Sequence, residues 1–278
     1  MGLKQLVPRP VRFALRRARF AAADLADMAR GRRDPLTPPR YLSFVYGGGD
    51  FRRNGAELLR GAVRAGLTPA SRVLDVGSGI GRFAVPLTSH LDAAQGASYD
   101  GIDIIRAGVE WCRRTITPRH PNFRFAHVDL FNKEYNPGGK LDSRTFCFPF
   151  ADGSFDFVFL GSVFTHMLPD EIDHYLAEIA RVTVPGGRTY ITWLLRTPES
   201  LAGVAAGKAR HDVRHERGIY SIMDPEVPEA AIAFDEAWVR ERYAAHGFRL
   251  VDPIRYGTWS GGRPDGEGHQ DAIVAERV

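Results

Sequence analysis

The sequence predicts an α/β fold in which a doubly wound, mostly parallel sheet follows a basic N-terminal helix. Two observations predict it. From Phe51 onward, segments with helical spacing alternate with short apolar runs that read as strands. The first of those runs ends in a glycine-rich turn that opens a helix. Strands that alternate with helices pair in parallel, because each right-handed crossover lays its helix against one face of the sheet.

The elements follow in order. Residues 8–28 are helical: Val11, Leu15, Ala18, Ala22 and Leu25 recur at three- and four-residue steps, with Arg12, Arg16 and Arg19 on another face. Residues 31–39, with Pro35, Pro38 and Pro39, read as a linker, and Tyr46 to Asp50 encloses three glycines that suit either a lid or a plain connector. Helical spacing runs from Asn54 to Ala65, a strand from Arg72 to Val76, and a helix from Arg82 to His90. A strand at Ser98–Ile104, a helix at Ile105–Thr115 and a strand at Phe123–Val128 come next. Phe155–Leu160 reads as a buried strand, Asp170–Val182 as a helix and Arg188–Leu195 as a strand. A helix at Asp235–His246 precedes two final strands, Phe248–Tyr256 and Ala272–Glu276. The expected organisation is an extension, 1–50, and one domain, 51–278, with insertions at 131–153 and 196–234.

Composition narrows the function. With 44% hydrophobic and 25% charged residues the chain has material for a core. Cys112 and Cys147 form neither a disulfide framework nor a metal-binding pair. There is no apolar run of about 18 residues to span a bilayer and no uninterrupted apolar start for export, so the expected location is cytoplasmic, with peripheral membrane contact through residues 8–28 as a further expectation. In residues 1–40, Lys4 and nine arginines face Asp24, Asp27 and Asp34, a surplus of seven positive charges. The remainder is therefore net −3 within a chain of net +4. Nucleic-acid enzymes more often carry a positive field around the active cleft, so this acidic body disfavours a nucleic-acid substrate. The basic helix suits an anionic membrane surface, or packing on the body with solvated arginines; an organellar transit peptide also fits the arginine-rich start.

The chemistry lies in Val73-Leu74-Asp75-Val76-Gly77-Ser78-Gly79-Ile80-Gly81. Glycines let a ligand approach the backbone, and a helix N-terminus receives an anion. A dinucleotide site calls for G-x-G-x-x-G, whereas this turn reads G-x-G-x-G with Asp75 two residues ahead of it. A carboxylate there repels a pyrophosphate but suits an ammonium group. S-adenosylmethionine carries an ammonium and a carboxylate and no phosphate.

This segment resembles motif I of class I S-adenosylmethionine-dependent methyltransferases, and later segments match in order. The resemblance spans about residues 51–195 well and the terminal strands loosely. It implies a Rossmann-like, seven-stranded sheet with an antiparallel last strand, and S-adenosylmethionine bound by Asp75, Gly77, Ser78, Gly79 and Gly81. It further implies that Asp103, followed by Ile104, takes the ribose hydroxyls, that Asp129 meets the adenine amino group, and that Leu130 packs on the ring. Gly161, in Leu160-Gly161-Ser162-Val163, falls where the fourth strand ends beside the sulfonium. Phe148 to Asp156 and Arg181 to Gly187 also fit the family pattern, with Asp156 read as structural.

His166, just past the fourth strand, is the candidate base for a hydroxyl acceptor, since imidazole titrates near neutrality. Tyr46, Asp50, Tyr135, His269 and Asp271 are weaker candidates to face an acceptor, and His211, Arg214, His215 and Arg217 read as a solvated face without a metal. The expected acceptor is a small molecule, a glycan or a lipid-linked molecule. The alternatives are a protein or nucleic-acid methyltransferase, or a non-catalytic S-adenosylmethionine-binding module; an oxidoreductase is disfavoured by the glycine spacing.

Overall fold

The computed structural model describes residues 9–46 and 48–278, with the backbone alone for residues 9–14 and Val45. Pro8 and Lys4 of the basic start, and Gly47 of the glycine loop, lie outside the described residues.

Seven strands form one sheet. They are β1 (Arg72–Val76), β2 (Ser98–Asp103), β3 (Phe123–His127), β4 (Phe155–Leu160), β5 (Thr183–Trp193), β10 (Phe248–Leu250) and β11 (Asp271–Arg277). Their spatial order is β10-β11-β5-β4-β1-β2-β3. The pairs β1–β2, β2–β3, β1–β4 and β4–β5 are parallel, and β11 runs antiparallel to β5. The seven-stranded sheet with an antiparallel last strand is thus as expected. Alternation along each strand feeds two layers. Leu74, Val158, Leu160 and Trp193 pack against α6 (Pro169–Val182) and α8 (Glu236–Ala245). Val73, Phe157, Phe159 and Tyr99 pack against α3 (Phe51–Arg64), α4 (Ala84–Leu87) and α5 (Arg106–Thr115). Chain order reverses between β1 and β4, which opens a crevice at their carboxyl ends, where ligands bind in open sheets of this kind.

Four local expectations need correction. The helix expected over 82–90 shrinks to the single turn α4, because Pro86 at its centre has no N–H to donate. Strand β5 begins at Thr183, five residues early; residues 184–187 bulge out, since Thr183 pairs with Phe155 and Arg188 with Phe157. The strand expected over 248–256 stops at Leu250, shortly before Pro253, which offers the ladder no donor. Residues 196–234 are not a plain loop: α7 (Pro198–Ala205) and strands β7 (His215–Arg217), β8 (Tyr220–Ile222) and β9 (Ile232–Asp235) occupy them. With β6 (Leu195–Arg196) these strands make a second sheet of order β6-β9-β8-β7. Leu194, Val204, Val213, Ala233 and Trp259 form a small core beneath it. Residues 131–153 contain no helix, as read, and Arg181 pins their end by donating to the Phe148 and Phe150 carbonyls. Asp156 is structural too, accepting from the Arg72 backbone and guanidinium.

Helix α1 (Arg9–Ala29) is present, and α2 (Arg40–Val45) follows it. It meets α2 through Phe20, whose ring lies 6.0 Å from that of Phe44, and through Asp24, which accepts from Arg40 at 2.8 Å. The apolar stripe points the other way: Leu15, Leu25 and Met28 are 62%, 66% and 61% exposed, and Ala18, Ala22 and Ala29 are exposed beside them. Helix α1 thus packs on α2 with Arg16, Arg17 and Arg19 exposed, and its apolar stripe is left uncovered.

Candidate active site

Asp75 ends up 1% exposed near the end of β1. One carboxylate oxygen accepts the Tyr99 hydroxyl, and the other has no partner. Burial, with Asp103 nearby, pushes this acid up to about 7, against the lowering effect of the Tyr99 bond. The Ser78 hydroxyl, also buried, lacks a partner as well. Buried polar groups are rarely left unpaired, so two orphans flanking one glycine turn fit a polar ligand.

The turn itself is built for close approach. Gly77 sits at φ +84°, where a Cβ would meet Val163 at 2.4 Å, and Gly79 and Gly81 also have left-handed backbone. Asp103 at the end of β2 closes the turn from the side: its oxygens accept the Gly79 and Ile105 amides, each at 2.7 Å. Burial raises its carboxyl to about 6 while these two bonds pull it down. Each oxygen keeps a lone pair for a further donor. Tyr46 lies across the turn, with its ring against Gly79 and its hydroxyl donating to the Ile105 carbonyl at 3.1 Å. Arg82 fixes that segment by donating to the Tyr46 and Gly48 carbonyls.

The other cofactor candidates surround the same end of the sheet. Ile104 is partly buried against the core, and its carbonyl contacts His127 Nε2 at 3.1 Å. Asp129 follows β3 and accepts from Asn136 at 3.2 Å, while Leu130 is 5% exposed in the main core. Gly161 follows β4; a Cβ there would lie 2.9 Å from Phe159.

Past β4, His166 occupies a 3-10 turn. Its Nδ1–H donates to the Glu229 carbonyl at 2.7 Å, which leaves Nε2 with its lone pair toward the Tyr135 hydroxyl at 3.4 Å. Burial lowers the imidazole below its ordinary value, so it rests neutral. Tyr135 thus joins His166. Asp50 caps α3 by accepting the Arg53 amide. Asp271 is 3% exposed and accepts from the Leu195 and Gly257 amides and the Trp259 indole. Arg214 and Arg217 are exposed as read, but His211 is half-buried, with Nε2 at 3.2 Å from His269 Nε2.

Three residues here escaped the sequence reading. Ser162 has φ +60°, a strained conformation for a residue with a Cβ, of a kind that clusters at functional sites. Thr192 Oγ1 accepts its amide at 2.8 Å, and Gln270 Oε1 accepts both hydroxyls, from Ser162 at 2.9 Å and Thr192 at 2.6 Å. Ser162, like Thr192 and Gln270, carries no local signal, since only the alignment of three strand ends brings them together.

A groove of about 170 Å³ between Arg64, Arg188, Val251 and Arg255 lies along the β10–β11 edge. Its arginines are spent on Glu267, Glu276 and the Gly61 carbonyl. Among the described residues no three His, Cys, Asp or Glu side chains gather to hold a metal, and no helix is long and apolar enough to cross a membrane.

Comparison with known proteins agrees with this geometry. Residues 74–191 match the family described as a methyltransferase domain. A phthiotriol/phenolphthiotriol dimycocerosates methyltransferase of Mycobacterium ulcerans is 37% identical over 118 residues, 42% of this chain and 35% of that protein. The chain thus spans about a third of the length of that relative. A SAM-dependent methyltransferase from Methanosarcina mazei has the same fold, with TM-score 0.50 and 19% identity over 78% of this chain and 97% of that one. So does the 1,6-didemethyltoxoflavin-N1-methyltransferase of Burkholderia thailandensis, solved with S-adenosylhomocysteine, with TM-score 0.50 and 17% identity over 98% and 92% of the two chains. Residues 74–191 thus match a methyltransferase domain, and the seven-stranded sheet that carries them has the fold of S-adenosylmethionine-dependent methyltransferases.

Proposed function

We propose that the protein transfers a methyl group from S-adenosylmethionine to an oxygen of a small-molecule, glycan or lipid-linked acceptor. The observation that carries the cofactor half of this reading is the pair of buried, unpartnered atoms, Asp75 Oδ1 and Ser78 Oγ, at the left-handed glycine turn. Asp75 would hold the ammonium, the Gly77–Gly81 backbone the carboxylate, Asp103 the ribose, and Asp129 the adenine amino group. Ile104 and Leu130 would flank the ring, with Gly161 beside the sulfur. When bound, S-adenosylmethionine supplies an electrophilic methyl group. The protein's own share is alignment and exclusion of water, with Tyr46 across the turn as the cover. His166 would take the hydroxyl proton on Nε2, and the Glu229 carbonyl, which holds the other ring nitrogen protonated, supports that role.

A lipid-linked acceptor is favoured by two observations. The relative from Mycobacterium ulcerans is named for phthiotriol and phenolphthiotriol dimycocerosates. Helix α1 turns Leu15, Leu25 and Met28 to the outside while its acids, Asp24 and Asp27, face Arg33 and Arg40. Exposed Arg19 lies beside that stripe, while Arg16 stacks on Phe44 of α2. An apolar stripe free of acids and flanked by arginine suits an anionic bilayer surface, so we read α1 as a peripheral membrane contact.

The acceptor is found by incubating the protein with methyl-labelled S-adenosylmethionine and cell extracts, then identifying the labelled product. A methyl ether or ester supports the reading. A labelled amine or nucleic acid, or S-adenosylhomocysteine binding with no labelled product in any extract, rejects it.

A further inference from the structure

Two imidazoles from distant parts of the chain meet at one place. His211 comes from the 196–234 insertion and His269 precedes β11, while a third, His166, follows β4. His211 Nε2 and His269 Nε2 are 3.2 Å apart with ring centroids at 5.4 Å, so one ring donates its N–H to the other's lone pair. Both are half-buried, which leaves each an open side.

Their supports place this pair over the reacting end of the sheet. His269 adjoins Gln270, which is bonded to Ser162 after β4 and to Thr192 in β5. Asp271, next in the chain, pairs with Trp193 at the end of β5. The His211 loop is anchored by the Arg210 amide, which donates to the Trp259 carbonyl at 2.8 Å.

The charge at this place is one-sided. Among the described residues neither ring, nor Arg210, is bonded to a carboxylate. Asp271 is occupied by three internal donors and Asp212 by Arg214. Burial, together with His269, Arg210 and His166, pushes His211 down to about 4, and burial with Arg210 lowers His269 too. The pair therefore rests neutral, and an entering anion is the partner that would offset Arg210 and draw a proton onto the rings.

We propose that His211 and His269, together with Arg210, seat the acceptor oxygen, and that the acceptor is an ionisable oxygen acid, a phenol, an enol or a carboxylic acid, held as its anion. This rests on the methyl-transfer reading and names its substrate class. The acceptor O–H bond breaks and leaves its electron pair on oxygen; the proton goes to His166 Nε2 and from there to water. That oxygen pair forms the new O–CH3 bond, while the pair of the old S–CH3 bond stays on sulfur. An anion is the better nucleophile and is attracted to the sulfonium beside it.

The test uses the full chain saturated with S-adenosylhomocysteine and two probes, 4-nitrophenol, which is yellow only when ionised, and benzoate. The expected result is that the protein binds 4-nitrophenol as the yellow anion at a pH where the free probe is mostly colourless. His211→Asn and His269→Asn should each weaken this by about tenfold and lose the colour, with S-adenosylhomocysteine affinity unchanged. Arg214→Ala, on the same insertion but paired with Asp212, should bind like the parent. Displacement of the colour by benzoate assigns carboxylic acids to the same seat; colour that benzoate leaves intact restricts it to phenols and enols, and benzoate binding without colour restricts it to carboxylic acids. Absence of binding for both probes, or equal binding in both histidine variants, overturns the proposal. Failure of S-adenosylhomocysteine to bind is a different outcome, which strikes the methyl-transfer reading itself.

Discussion

Replacing Asp75 by Asn removes one charge and almost no volume from the base of the glycine turn. Tyr99 can still donate to the amide oxygen, so the packing of β1 against β2 survives, and the atom that changes is the unpartnered one. In the parent the carboxyl titrates at about 7, and only the ionised form attracts an ammonium. Taking that value, about one molecule in eleven is protonated at pH 8 and about ten in eleven at pH 6. Affinity for S-adenosylhomocysteine should therefore fall about tenfold between these values, or about 1.4 kcal/mol. Isothermal titration calorimetry in two buffers of different ionisation enthalpy measures both this fall and the proton released on binding at pH 6. Asp75→Asn should bind weakly at pH 8 and show a flat profile from pH 8 down to the range where Asp103, at about 6, begins to titrate. The same variant has a stability signature. A folded-state value raised above the ordinary 3.8 means that the folded protein holds the proton more tightly. The cost of Asp75 is therefore absent below about pH 4 and grows to at most about 4 kcal/mol above pH 7. Asp75→Asn should raise the melting temperature at pH 8 and leave it unchanged at pH 4. A tenfold fall that persists in Asp75→Asn, or a flat profile in the parent, would refute the assignment of the ammonium to this acid.

Three further outcomes follow from the same geometry. Asp103→Ala should weaken S-adenosylhomocysteine binding by about 1–3 kcal/mol, measured by calorimetry; an unchanged affinity in the folded variant places the ribose elsewhere. Once an acceptor is identified, His166→Ala should lower turnover by about 10²–10⁴ without changing cofactor affinity, and a fully active variant removes it as the base. Leu25→Ser combined with Met28→Ser should reduce binding to phosphatidylglycerol vesicles by at least about a hundredfold, since each buried side chain contributes about 1.5–3 kcal/mol; equal flotation of variant and parent rejects the membrane contact.

The parts of the fold that were legible in the sequence are those with a strong local cause. Strand β4 spans the residues expected because six residues from Phe155 to Leu160, all but Asp156 apolar, can only be buried in a sheet of this kind. Strand-end acids and glycines made Asp75 and Asp103 readable for the same reason. The early start of β5 was hidden by Pro185, Gly186 and Gly187, which look like a terminator and instead form a bulge inside the pairing. Strands β7 and β8 are three residues each, too short for a period to register, and they exist because β9 pairs with them. The direction of α1 was undetermined, since its spacing defines a stripe and not what the stripe faces. The histidine pair is separated by 58 residues and the Ser162–Gln270 bond by 108, so no window along the chain contains either. They arise from the antiparallel return of β11 onto β5.

A crystal structure of the complex with S-adenosylhomocysteine tests the central claim most directly. It should show the amino group on Asp75, the ribose hydroxyls on Asp103, and the sulfur next to Gly161 and Ser162, with His166, His211 and His269 facing it. A ligand bound away from the Gly77–Gly81 turn, or one whose ribose and amino groups touch neither acid, would contradict it.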